Sequence, residues 1–122
     1  MSNKDWLYYK WNVEAGATHE EAAEAELLCW YSTARWVGAT HEEAIQAGRM
    51  PYYHHARDSG ATHEEGLEAG ELPYYAAARR AGATHEEAIE SGYIAAYPEL
   101  RERGFSHRQA MAAIKARKSA NR

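Results

Sequence analysis

Histidine is the residue whose spacing in this chain most suggests chemistry. Five histidines recur every 22 residues: His19, His41, His63, His85 and His107. Imidazole is a common metal ligand and general base. Ligands of one ion must lie about 2 Å from it, whereas equivalent residues in successive helical layers lie about 8–10 Å apart. We therefore expect no metal ladder, but structural histidines that each bond to a neighbouring tyrosine or a backbone carbonyl.

A second group of polar residues occurs in one repeat only. His54 and His55 are followed by Asp58, four residues after His54. They could form half of a metal site, but two ligands are too few for zinc. Cys29 is the single cysteine, and we expect it to be a small buried residue. The chain has no His-Glu-x-x-His motif and no nucleophile elbow. We predict that it is not an enzyme and has no catalytic residue, metal or cofactor.

The five histidines lie inside a repeated hexad, Gly-Ala-Thr-His-Glu-Glu. It begins at Gly16, Gly38, Gly60 and Gly82, and an altered copy begins at Gly104. So strict a period predicts one small structural unit repeated in tandem. In each full hexad a threonine is followed three residues later by glutamate, which is the pattern of a helix capping box. The predicted caps are Thr18, Thr40, Thr62 and Thr84.

Each unit is predicted to contain two short helices. Gly48, Gly70 and Gly92 follow the caps by about two turns, where a left-handed glycine can end a helix. Pro51 and Pro73 suit the first position of the second helix. Helices this short are unstable alone, so neighbouring repeats must hold them. The predicted fold class is an all-α solenoid of helix-turn-helix repeats with a period of 22 residues.

Two further residue types recur in the second helix. The tyrosines are predicted to stack on their copies in the core: Tyr31, Tyr53, Tyr75 and Tyr97. The arginines are predicted to pair with glutamates of a neighbouring repeat: Arg35, Arg57, Arg79 and Arg101.

These patterns predict a single repeat domain over residues 1–122. It consists of an N-terminal half-repeat or cap (1–15), four repeats (16–37, 38–59, 60–81 and 82–103) and a C-terminal half-repeat or cap (104–122). In the first repeat Glu26 and Cys29 replace the glycine and the proline. We therefore expect one longer, bent helix from about Glu20 to Trp36 there.

Charge is distributed unevenly along the chain. Residues 1–98 have 7 Lys or Arg and 16 Asp or Glu, a net charge of −9, whereas residues 99–122 have 7 and 2, a net charge of +5. This predicts either a solvated basic last helix or a homo-oligomer through acidic N-terminal and basic C-terminal ends. No apolar run is long enough for a membrane span, and the start lacks the pattern of a signal peptide. We predict a cytoplasmic protein with no membrane partner.

Positions that vary between copies of the second helix are candidates for partner contact. They fall at three phases and are predicted to share one solvent-facing strip. The first phase is Lys10, Ser32, His54 and Ala76, the second is Trp11, Thr33, His55 and Ala77, and the third is Glu14, Trp36, Asp58 and Arg80. Surface drift is the alternative explanation. The predicted partner-binding residues are Trp11, Trp36, His54, His55, Asp58 and Arg80, because exposed Trp and Arg often anchor interfaces.

Three functions fit this pattern. The leading prediction is a non-enzymatic module that binds another protein. The first alternative is a structural protein that assembles head to tail. The second is a nucleic-acid-binding repeat protein in which Tyr and Arg read one base per unit; it is unlikely because residues 1–98 have no basic stripe.

The repeat unit resembles a known kind of protein. Gly-Ala-Thr-His-Glu-Glu-Ala, with Tyr, Ala and Arg spaced as in residues 75–79, is similar to short helical tandem repeats encoded by actinobacteria and their phages. The resemblance covers nearly the whole chain. It implies an α-helical repeat protein that acts as an accessory or interaction factor, but it brings no activity and no functional residue.

Overall fold

The computed structural model describes residues 3–120, with side chains from residue 8 onward. These residues form ten α-helices and no strand. The helices are α1 (Asn3–Glu14), α2 (His19–Glu24), α3 (Tyr31–Trp36), α4 (His41–Ala47), α5 (Tyr53–Asp58), α6 (His63–Glu68), α7 (Tyr75–Arg80), α8 (His85–Ser91), α9 (Ala96–Glu102) and α10 (His107–Ala120). The chain divides into two compact units, residues 1–71 and 72–122. The boundary falls between the two helices of the repeat 60–81.

The predicted capping boxes are confirmed in all four full hexads. At α4 the amide of Glu43 donates to the hydroxyl of Thr40 at 3.2 Å, and the amide of Thr40 donates to the Glu43 carboxylate at 2.9 Å. The altered copy keeps the same reciprocal bonds with Ser106 and Gln109. The start of each first helix is therefore fixed by hydrogen bonds between residues of the same hexad.

Within the first unit, the second helices of successive repeats lie against each other. α3 contacts α1 and α5, and each second helix also contacts the first helix that follows it. The second unit repeats this arrangement, with α9 against α7 and against α10. The predicted fold class, an all-α solenoid of 22-residue helical repeats, is thus confirmed within each unit.

The core is thin and consists mainly of alanine and tyrosine. The repeated tyrosines at the start of the second helices are almost completely buried, and so are alanines of the first helices such as Ala22 and Ala44. The N-terminal half-repeat has Asn12 where the next copies have alanine. The buried Asn12 amide donates to the carbonyl of Ala25 at 3.3 Å. This bond gives a partner to a carbonyl at the end of α2.

α4 and α8 end at Gly48 and Gly92 as expected, but the expected left-handed conformation of these glycines was wrong. Gly48 and Gly92 have right-handed α backbone, and positive φ angles occur instead at the glycines that open the hexads, such as Gly60 at 105°. A Cβ atom at Gly48 would lie 2.7 Å from Leu28, and one at Gly70 would lie 2.5 Å from Met50. These positions need glycine because a side chain of the preceding repeat packs against their backbone.

The expected continuous helix from Glu20 to Trp36 was also wrong. α2 ends at Glu24, α3 begins at Tyr31, and a turn joins them. The amide of Trp30 donates to the carbonyl of Gly48 at 3.0 Å, a bond that an uninterrupted helix could not make. The helix starts at Pro51 and Pro73 were placed too early as well. Both prolines lie in turns two residues before the helix, which begins at a tyrosine.

Candidate functional site

The five repeated histidines each share a hydrogen bond with a tyrosine, as the sequence predicts. The hydroxyl oxygen of Tyr53 lies 2.7 Å from Nδ1 of His63. The same two atoms are bonded in the other pairs: Tyr9 with His19, Tyr31 with His41, Tyr75 with His85 and Tyr97 with His107. The rings of Tyr9 and His19 are stacked, whereas those of the other pairs meet edge-on. The tyrosine comes from one repeat and the histidine from the next, so this bond ties neighbouring copies together.

A third side chain gives this hydrogen bond a direction. Nη1 of Arg57 donates to the Tyr53 hydroxyl at 2.7 Å, and a guanidinium can only donate. The hydroxyl hydrogen is therefore free to point at Nδ1 of His63, which accepts it. Nε2 of His63 then carries the hydrogen and donates to Oε1 of Gln46 at 2.6 Å. This network of bonds assigns the hydrogen to Nε2 of His63.

The same chain of bonds recurs at other copies. In two of them a carboxylate takes the place of Gln46. His41 bonds to Glu24 through Nε2 at 3.0 Å, and His107 bonds to Glu90 at 2.9 Å. The sequence did not predict these acceptors, although they recur at one phase of the repeat. Both ring nitrogens of these histidines are engaged in the protein's own structure.

The ion pairs of the repeated arginines differ from the expectation. Arg35 pairs with Glu21 at 3.4 Å and Arg101 with Glu87 at 3.0 Å, so the partner belongs to the same repeat and not to a neighbouring one. The hydrogen bond from the backbone amide of the capping threonine is the main cause that lowers the pKa of Glu87, and Arg101 lowers it further.

The repeated tyrosines pack against histidine instead of forming a column of stacked tyrosines. The ring of Tyr53 meets the ring of His63 edge-on, at 5.6 Å between centroids and 74° between planes. Burial raises the pKa of the Tyr53 phenol. Each tyrosine is therefore a buried junction between the second helix and the following first helix.

The expected solvent-facing strip is only partly solvent-facing. Ser32 and Ala76, at its first phase, are buried, because this side of the second helix lies against neighbouring helices. The other two phases include exposed residues. Trp11 is 43% exposed and Trp36 is 69% exposed.

The structure places four of the predicted contact residues on neighbouring helices of the first unit. Trp11 lies on α1, Trp36 ends α3, and His55 and Asp58 lie on α5, and all four are exposed. We call these four residues the variable face. Arg80 is also exposed, at the end of α7 in the second unit.

His54 belongs to a chain of rings beneath the variable face. Its ring stacks on Trp30 at 5.9 Å and 14°, and it lies 4.1 Å from the ring of His55, which contacts Tyr52. Burial lowers the pKa of His54, and His55 lowers it further. Nδ1 of His54 is the one buried side-chain nitrogen or oxygen without a hydrogen-bond partner among the described residues. His54 therefore supports its neighbours more than it faces solvent.

The sequence could have revealed two members of this ring chain. Trp30 and Tyr52 occupy a position that is aromatic in four successive copies, the others being Tyr8 and Tyr74. The prediction considered only positions that vary, so this recurring aromatic position was missed.

Cys29 is exposed, so the expectation of a buried cysteine was wrong. It lies in the turn between α2 and α3, at the place that proline occupies in the next two repeats. Residues 3–120 contain no group of three or more possible metal ligands and no detectable pocket.

Comparisons with protein families, with curated proteins and with solved structures found no match. The resemblance to helical repeats of actinobacteria and their phages therefore stays a prediction. Across the described residues, no helix combines the length and apolar character needed to cross a bilayer.

Proposed function

We propose that this chain is a non-enzymatic interaction module that binds another protein through the variable face of its first unit. Trp36 is the observation that carries the proposal. Its ring is 69% exposed, and no described residue makes a ring contact with it. Covering an aromatic side chain of about 150–250 Å² contributes roughly 4–6 kcal/mol at about 25 cal/mol per Å². A partner that covers Trp36 would gain much of that amount.

The division between constant and variable positions supports the proposal. The tyrosine and the histidine repeat from copy to copy and share the same hydrogen bond. Arg35, Arg57 and Arg101 each donate to the tyrosine of their own repeat. By contrast, the exposed position of Trp36 holds Glu14 in the preceding repeat and Asp58 in the following one. A rigid framework that presents different side chains at one phase reduces the ordering cost of binding.

The contact set follows from exposure. Trp11, Trp36, His55 and Asp58 are the proposed contacts in the first unit, and Arg80 is proposed as a contact of the second unit. His54 is proposed as a support for His55. On the strength of the sequence resemblance alone, we propose that the protein is a bacterial or phage accessory or regulatory factor. The sequence pattern described above is the basis for proposing that it acts in the cytoplasm.

Base reading by the repeated tyrosines has no support in the geometry. A base stacks on an exposed aromatic ring, whereas Tyr31, Tyr53, Tyr75 and Tyr97 are at most 1% exposed. Their hydroxyl groups are also bonded to histidines. Protein binding is therefore the better-supported function.

The test is capture of the partner from a lysate of the native host. The double variant Trp36→Ala/His55→Ala should weaken capture at least tenfold, because truncation of a central anchor costs about 2 kcal/mol or more. Tyr93→Ala is the matched control, since Tyr93 is 70% exposed and lies in the second unit. Helicity by circular dichroism should be unchanged in both variants. Equal capture by the double variant and the wild type would rule out the variable face.

A further inference from the structure

The last helix extends beyond the repeat pattern. The other first helices have six or seven residues, whereas α10 has 14 and continues past Ile114, which occupies the place of Gly48 and Gly92. Every residue from 115 to 120 is exposed, so no described part of the chain covers this end of α10 on any side. Short uncovered helices have little stability alone. The extension is an unpartnered helix.

The charge of α10 is of one sign. α10 contains four Lys or Arg and no Asp or Glu. Two arginines just before it have partners inside the fold, Arg101 with Glu87 and Arg103 with Glu99. No ion pair holds Arg108, Lys115 or Lys118 among the described residues. Their spacing of seven and three residues places them on one side of the helix.

The first unit has a row of exposed carboxylates, one on each first helix. Glu20, Glu42 and Glu64 are the second residues of α2, α4 and α6, and all three are exposed. The adjacent Glu21 and Glu43 are used by the capping boxes, whereas no ion pair holds the three exposed ones within residues 3–120. We call Glu20, Glu42 and Glu64 the glutamate row.

The spacings expected for the two sets of charges from general helix geometry agree. Arg108 and Lys115 are seven residues apart, which is about 10.5 Å along a helix at about 1.5 Å per residue. Successive helical layers lie about 8–10 Å apart, and the glutamate row has one carboxylate per layer. A helix laid along the row would bring one cation near one carboxylate in each of two layers.

We propose that α10 of one molecule binds the glutamate row of a second copy of this chain. The row alone does not define a site; the unpartnered basic helix of the same chain supplies the complement. A second copy fits better than a nucleic acid, because residues 1–98 have a net charge of −9 and repel phosphates. The interface is independent of the variable face, so it can fail while the proposed function stands.

The test is the molar mass of the full chain by sedimentation velocity at low and high salt. We expect a mass above the 13.7 kDa of the monomer at about 20 mM salt. At about 1 M salt we expect the monomer, because the screening length falls to about 3 Å. Two charge-reversal variants should be monomeric on their own at low salt: Arg108→Glu/Lys115→Glu, and Glu42→Lys/Glu64→Lys.

A mixture of the two variants should restore association, since the unchanged α10 of one variant meets the unchanged glutamate row of the other, and the reversed α10 meets the reversed row. This result also shows that both variants are folded. Glu26→Lys/Glu71→Lys changes the net charge equally outside the row, and it should leave association unchanged. A monomeric wild type at low salt, or association that persists in either variant alone, overturns the proposal. So does a monomer that binds a mixed-sequence oligonucleotide through Arg108 and Lys115.

Discussion

Replacement of Tyr53 by phenylalanine tests the hydrogen-bond chain directly. The change removes one buried oxygen that accepts from Arg57 and bonds to His63, both at 2.7 Å. A hydrogen bond to a charged group contributes about 1.5–3 kcal/mol, and a neutral one about 0.5–1.5 kcal/mol. Part of the lost hydrogen-bond free energy is offset, because phenylalanine has no hydroxyl group that must be removed from water on folding. We expect the free energy of unfolding to fall by about 1–3 kcal/mol.

Tyr93→Phe is the matched control, because its hydroxyl lies on a side chain that is 70% exposed. Its effect should be below about 0.5 kcal/mol. Urea unfolding followed by circular dichroism measures both variants. The ¹⁵N shifts of the wild-type His63 ring should also show the neutral Nε2–H tautomer. If Tyr53→Phe is as stable as Tyr93→Phe, the bonds of the Tyr53 hydroxyl do not stabilise the fold. If His63 carries its hydrogen on Nδ1, the assigned direction of the bonds is wrong.

Three further outcomes are expected. Gly70→Ala should destabilise the protein by about 1–3 kcal/mol through overpacking, because its Cβ would lie 2.5 Å from Met50; in urea unfolding, combining it with Met50→Ala should cost less than the sum of the two single changes. Gly66→Ala should cost less than Gly70→Ala in the same assay: its Cβ would lie 2.9 Å from the Tyr53 ring, but the equivalent positions of other repeats hold buried alanines such as Ala44 and Ala88, so the repeat can accommodate a methyl group there; a larger loss than that of Gly70→Ala would contradict this. The lowered pKa of Glu87 means that its contribution to stability is present above the unfolded pKa of about 4.3–4.5 and is lost as pH falls through the folded value. An acid titration of Glu87→Gln, followed by circular dichroism, should therefore show a weaker loss of stability below about pH 4.5 than the wild type.

Local signals in the sequence predicted the starts of the first helices well. A capping box involves only two residues three apart, so Thr40 and Glu43 are enough to predict the start of α4. The roles of the glycines were harder to predict, because glycine is needed both where φ is positive and where another part of the chain packs closely against the backbone. Gly60 and Gly70 look alike in sequence, yet only the first has a positive φ. The reason for Gly70 is Met50, 20 residues earlier, and such a contact appears only once the layers are stacked.

The candidate surface was predicted in part for a related reason. Variation between copies correctly pointed to Trp36, His55 and Asp58, which are exposed. It also included Ser32 and Ala76, which are buried, because variation alone does not say which side of a helix meets its neighbours. Small residues vary freely in a tightly packed seam as well as in solvent.

The bond from tyrosine to histidine has an evolutionary consequence. Each copy inside a unit meets the next through the same few groups: a phenol, an imidazole and a glycine carbonyl. If the codons of one 22-residue repeat within a unit are duplicated or lost, the neighbouring repeats therefore still meet through the same contacts. Genes for such chains can change copy number by recombination while every inner block remains correctly joined, so length is the property of this protein that can change most readily over generations.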